Sequence, residues 1–159
     1  MMKYILSKDD IESMPGESKT HFLNKNAKRN NKSLGDETGL KNLGFHIIEI
    51  QPGHESTEYH VHYSEDECVY VLSGEGIVII DNQEYPINEG DFIGYPANGL
   101  PHGMKNISDK PLRCIVAGQR LSNEVADYPR LNKRLYVHGN IAEVVDKSNV
   151  SEANIGKKN

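Results

Sequence analysis

Two histidines stand one residue apart in His60-Val61-His62, and Glu67 follows five positions later. Imidazole nitrogens and a carboxylate are donors that Zn, Mn, Fe, Ni or Co accept as divalent ions. On a strand, residues two apart share a face, so His60 and His62 project to one side and Val61 to the other. Residues 63–66 read as a turn, and Glu67 opens a returning strand. A hairpin of this kind brings its carboxylate beside the two imidazoles. With Glu67 facing inward, Val69 and Val71 face inward too, and Cys68, Tyr70 and Leu72 face the other side. The competing reading is a buried polar network with no metal, which is costly for such groups. His102 lies behind a proline-glycine turn; alone, it fits a structural or surface role equally well. Glu58 falls by alternation on the face of His60 and is a candidate for the cavity wall or for supporting the histidines. An exposed strand end is its alternative. His46 is a second cavity candidate, against a surface or hydrogen-bonded position. His21, His54 and His138 lie outside these motifs.

The elements that must hold such residues are short strands. GFHIIEI (44–50), ECVYVL (67–72), IVII (77–80), QEYPI (83–87), DFIGY (91–95), HGMKNI (102–107) and LRCIVAG (112–118) follow one another. SGEG, DNQ, NEGD, PANG and SDKP separate most of them. Short strands at this spacing predict an all-β sandwich or barrel. Residues 1–43 read as an N-terminal arm and loops, with NKNAKRNNKS (24–33) as a solvated basic loop and 34–44 as turn. Residues 44–118 form the barrel. Residues 119–146 read as a C-terminal arm that holds a short helix or packs on the barrel or a partner. The tail 147–159 has almost no apolar content and is expected to be flexible.

The formal net charge of −5 argues against a nucleic-acid partner. There is no 18-residue apolar run, so no membrane span is expected. The N-terminus lacks a leader-like apolar core, and a cytoplasmic location is the expectation. Cys68 and Cys114 have no CxxC partner and read as reduced, partly buried thiols. Nucleotide loops, a nucleophile elbow, a flavin motif and a helix-turn-helix are all missing.

Together the motifs resemble the cupin superfamily. Its first motif is a glycine, five residues, HxH, three or four residues, a glutamate, six residues and a glycine; here Gly53, His60, His62, Glu67 and Gly74 stand at those places. Its second is a glycine, five residues, PxG, two residues, a histidine, three residues and an asparagine; here these are Gly90, Pro96, Gly99, His102 and Asn106. Six residues separate Gly53 from His60 instead of five, and Asn98 makes the turn PxxG. SEDECVYVLSGEG, GLKNLGFHIIEIQPG and DYPRLNKRLY further resemble small single-domain bacterial cupins. The resemblance implies a cupin-type double-stranded β-helix, a jelly-roll barrel, with one divalent metal ion on His60, His62, Glu67 and His102. It implies an enzyme that uses the ion as Lewis acid or O₂-binding centre on a small polar ligand: a carboxylate, diketone or sugar. A non-catalytic module that binds or senses a metabolite is the alternative. Tyr59, Val61, Tyr70 and Leu72 are candidates for an apolar outer face. A homodimer is expected to cover it, unless the chain's own arms do.

Overall fold

A computed structural model describes residues 3–156; residues 1–2 and 157–159, part of the expected flexible tail, lie outside it. Thirteen strands run in chain order among the described residues: β1 (Glu17–His21), β2 (Asn24–Ser33), β3 (Leu43–Ile50), β4 (Val61–His62), β5 (Glu67–Ser73), β6 (Glu75–Ile80), β7 (Gln83–Asn88), β8 (Phe92–Tyr95), β9 (His102–Lys105), β10 (Leu112–Gln119), β11 (Asn123–Tyr128), β12 (Lys133–His138) and β13 (Ile141–Asp146). Two short helices, α1 (Lys8–Ser13) and α2 (Leu34–Glu37), flank the first hairpin. A six-stranded sheet has the order β1-β2-β3-β10-β5-β8, a four-stranded sheet β13-β12-β11-β4, and a three-stranded sheet β7-β6-β9. All strand pairs are antiparallel, and together they make a cupin-type jelly-roll barrel. All seven strands expected between 44 and 118 are present.

The inward residues of both faces build the core. Ile48 and Ile50 of β3, Val69 and Val71 of β5, Val78 of β6, Met104 of β9, and Leu112 and Cys114 of β10 are buried in one cluster. Alternation holds on β5 as expected: Val69 and Val71 are buried while Tyr70 is exposed. Gly74 closes the β5–β6 turn at φ +86°, and a Cβ there would meet the Pro111 carbonyl at 2.6 Å. Only glycine satisfies both demands.

Four expectations need correction. The 24–33 segment is not a solvated loop but the strand β2, which joins the barrel through β3. Residues 34–37 form the short helix α2, where only turn was expected. Residues 120–146 form no α-helix but are regular strand where an irregular arm was expected: they carry the meander β11, β12 and β13, packed on the barrel through β4, with a 3₁₀ turn at Pro129–Leu131. The proposed hairpin between the HxH segment and Glu67 is absent. β4 pairs with β11, whereas β5 pairs with β10 and β8, so Glu67 reaches the site from a different sheet.

The outer-face expectation divides. Tyr59 and Val61 are buried by the chain itself: the Arg130 guanidinium lies 4.1 Å from the Tyr59 ring centre, and the Asn82 amide donates to its hydroxyl at 3.0 Å. Tyr70 and its cross-strand neighbour Phe92 remain exposed. Beyond a 3₁₀ turn at Lys147–Asn149, residues 150–156 have no regular structure and are exposed.

Candidate metal centre

Backbone pairing brings the two histidine motifs together. His60 and His102 form an antiparallel bridge, His60 N–H donating to the His102 carbonyl at 3.0 Å and His102 N–H returning at 2.7 Å. The inserted Asn98 takes φ +56°, and its N–H donates to the His62 carbonyl at 2.8 Å. The longer PxxG turn therefore ties one motif to the other. Asn106 is fully buried and staples the loops: its side chain donates to the carbonyls of Ile50 and Lys110 and accepts from Ser108. The extra residue after Gly53 is absorbed by an irregular stretch of turns and single bridges.

The imidazoles are oriented by what their outer nitrogens touch. His60 Nδ1 meets the Glu58 carbonyl at 2.7 Å, and His102 Nδ1 meets the Leu100 carbonyl at 3.2 Å. A carbonyl only accepts, so each Nδ1 carries the hydrogen and each neutral Nε2 presents a lone pair inward. Tyr95 stacks on the His102 ring, centroids 3.6 Å apart and 3° from parallel. Burial, then the neighbouring His102 and His62, hold His60 well below the ordinary imidazole range. Burial brings His102 down to about 4. Both rings are thus neutral near pH 7, the form that can ligate.

His62 differs. Its Nε2 lies 3.0 Å from His60 Nε2, while its Nδ1 faces the carboxylates of Glu124 at 3.6 Å and Glu65 at 4.0 Å. Glu124, on β11, is itself buried and accepts the backbone N–H groups of Tyr63 and Ser64. Sequence reasoning missed this carboxylate, because it lies in a segment read as an arm. Glu67 Oε1 stands 4.0 Å from His102 Nε2; burial pushes its carboxyl upward, against the pull of His62 and Arg29.

Do these residues fit an ion? Among the described residues, no three His, Cys, Asp or Glu donors are drawn into a closed metal site. Glu67 stands back from the histidines, which is where the set is open. The remaining observations favour a fit. His102 Nε2 is buried without a hydrogen-bond partner. His60 Nε2 and His62 Nε2 face each other at 3.0 Å, where a proton on His62 Nε2 joins them without an ion and both are free to ligate once it leaves. Ligands about 2.1 Å from a common ion and at right angles to one another sit about 3.0 Å apart. The donor chemistry, three imidazoles and a carboxylate, suits a divalent transition metal.

The cluster forms part of the wall of a cavity of about 400 Å³. His46 lines this cavity and is hydrogen-bonded as well, so both of its readings hold. Its Nδ1 meets Asn31 at 3.2 Å, and burial, followed by the charge of Arg120, lowers its pKa. Glu58 is buried but does not line the cavity; what it offers the site is its backbone carbonyl. Alternation fails there because residues 51–60 are not a regular strand. His21 and Tyr128 also line the wall, their rings 5.6 Å apart, with Tyr128 6.2 Å from His60. The half-exposed Arg120 and exposed Asp36 mark where the cavity opens.

The family model for the cupin domain matches residues 46–118. The structure is similar, over 95% of this chain and 97% of the other, to a proposed sugar phosphate isomerase of Acidithiobacillus ferrooxidans, at 47% identity and a TM-score of 0.93. The chain belongs to the cupin superfamily. A sugar phosphate isomerase of the cupin superfamily from Silicibacter pomeroyi is similar over 94% of this cupin and 96% of its own chain, at 28% identity and a TM-score of 0.80. An uncharacterized protein of Methanocaldococcus jannaschii is 35% identical over 66 residues, 42% of this chain. The cupin matches about half, 52%, of that archaeal protein's length.

Proposed function

We propose that this cupin holds one divalent metal ion on His60, His62, Glu67 and His102 and isomerises a small sugar-class substrate in the adjoining cavity. The observation that carries the reading is the inward presentation of imidazole Nε2 atoms beside a carboxylate, with His60 and His102 locked in one tautomer by backbone carbonyls. Outer partners of this kind are what metal-ligating histidines ordinarily have. Such an ion supplies a Lewis acid for a carbonyl or hydroxyl oxygen. The protein's own contribution is binding and proton handling. His21 Nδ1 accepts the Leu23 N–H at 3.2 Å, so its neutral ring presents Nε2–H. Tyr128 stands between His21 and His60 with a phenol to hold or pass a proton.

The substrate class is supported by the cavity and by the resemblance. About 400 Å³ suits a monosaccharide-sized ligand. Two structures similar over nearly the whole chain are a proposed sugar phosphate isomerase of Acidithiobacillus ferrooxidans and a sugar phosphate isomerase of Silicibacter pomeroyi. A sealed, apolar cavity would favour a non-catalytic binding module. This one opens at Asp36 and Arg120 and has ionisable walls. The test is to restore Zn, Mn, Fe(II), Co or Ni and incubate with aldose and ketose phosphates of five and six carbons in deuterated water. NMR is expected to show isomer formation or deuterium uptake that His102→Ala abolishes. A metal-loaded protein that turns over none of them would transfer the assignment to the binding module.

A further inference from the structure

The β1–β2 hairpin lines the same cavity as the histidine cluster, and it brings cations without carboxylates of its own on that wall. Lys19 on β1 lies directly opposite Arg29 on β2, and both line the cavity. Directly opposed residues of an antiparallel pair share a face, where like charges destabilise the hairpin. Arg29 has no carboxylate within salt-bridge distance among the described residues. One of its five N–H groups donates to the Ser56 carbonyl. Lys19 has only Glu17, 3.2 Å away, whose side chain is 72% exposed. Two residues beyond Arg29 on the same face, the buried Asn31 also lines the cavity. Arg120 adds a third cation, held by Asp36; Glu67, the other carboxylate on the cavity wall, acts on Arg29 only from beyond salt-bridge distance. A half-buried guanidinium facing a lysine is costly unless an anion joins them. In a chain of net charge −5, this concentration of cations is local to the cavity.

We propose that Lys19, Arg29 and Asn31 form an anion subsite for the phosphate group of a small phosphorylated substrate, whose other end reaches the histidine cluster. This rests on reading that cluster as the reaction centre. The cations and the histidines line one cavity of about 400 Å³, a volume suited to a single sugar phosphate. His21 shares the inner face of β1 with Lys19, and same-face neighbours on a strand sit about 7 Å apart. Tyr128 links His21 to His60. Arginine and lysine are the donors that phosphate recognition uses, and the arginine fork can bind two oxygens at once.

Calorimetry on the full chain tests the subsite with three probes: inorganic phosphate, ribose 5-phosphate and ribose. Wild type is expected to bind both phosphate probes, and ribose 5-phosphate at least tenfold more tightly than ribose. Arg29→Gln and Lys19→Gln are each expected to weaken both phosphate probes about tenfold while metal content stays unchanged. His102→Ala is expected to keep its affinity for inorganic phosphate. Arg29 also braces Ser56, so thermal unfolding is followed in parallel; Lys19→Gln, which breaks no such bond, carries the test if Arg29→Gln fails to fold. Phosphate affinity that both variants retain in full would overturn the subsite, as would equal binding of ribose and ribose 5-phosphate, or no binding of any probe. A protein that takes up no metal yet binds phosphate through Arg29 and Lys19 would sink the reaction-centre reading and leave the subsite standing.

Discussion

At the scale of residues, the cluster depends on groups one step behind it. The carbonyls of Glu58 and Leu100 fix two imidazole tautomers, but backbone atoms cannot be mutated away. Glu124 can. Its carboxylate faces His62 Nδ1 at 3.6 Å and accepts backbone N–H groups at Tyr63 and Ser64. Glu124→Gln keeps an acceptor for those amides but removes the charge that favours a hydrogen on Nδ1. Metal affinity, measured by competition with a chelator, is expected to fall by roughly 10- to 100-fold, with the unfolding temperature of the apo form little changed. Unaltered metal affinity would mean that Glu124 serves only the 63–64 turn. The histidines, Glu67 and His102 were legible because motif spacing survives any fold detail. Glu124 was not, since one acidic residue in a segment read as an arm carries no signal.

At the scale of elements, the strands that escaped notice are those whose inner face meets something polar. β2 reads NKNAKRNNKS and buries only Ala27 and Asn31, because Arg29 and Asn31 face a cavity rather than a core. β11 reads NEVADY and buries Glu124 and Asp127 along with Ala126 and Tyr128. Hydrophobic alternation therefore fails in both, although each is a regular strand. The β3, β5 and β10 runs were visible because their inner faces are apolar. The missing hairpin has a related cause: periodicity places His60, His62 and Glu67 on faces but says nothing of which sheet each strand joins.

Asp127, on the opposite face of β11 from Glu124 and Tyr128, shows what a buried carboxylate contributes there. Burial pushes its carboxyl up, but hydrogen bonds from Arg134, Lys147 and Tyr63 outweigh this and hold it down to about 2. A carboxyl depressed in the folded state stabilises the fold at pH values above its unfolded value, 3.8, and loses that contribution as pH falls toward 2. The contribution is on the order of 2 kcal/mol. Denaturant midpoints at pH 5 and pH 2.5 are expected to fall more steeply with acid in wild type than in Asp127→Asn. Equal acid sensitivity in the two proteins would show that this network does not govern the C-terminal meander.

At the scale of the whole molecule, the candidate site draws on all three sheets. His62 belongs to the four-stranded sheet, Glu67 to the six-stranded one, and His102 to the three-stranded one. An ion on these donors would cross-link the barrel, and its binding free energy would add to that of folding. The cavity beside it is lined by the cupin motifs and also by the β1–β2 hairpin, outside residues 46–118. The domain thus carries the four candidate donors, while Lys19 and Arg29 before it and Arg120 after it line the same cavity. The most direct test is the metal-to-protein ratio, by plasma mass spectrometry, of protein purified without added metal and then offered a divalent ion. Wild type is expected to hold about one ion per chain, and His60→Ala and His102→Ala to lose it while remaining folded. A wild type that takes up no ion, or two variants that keep the full complement, would contradict the metal centre.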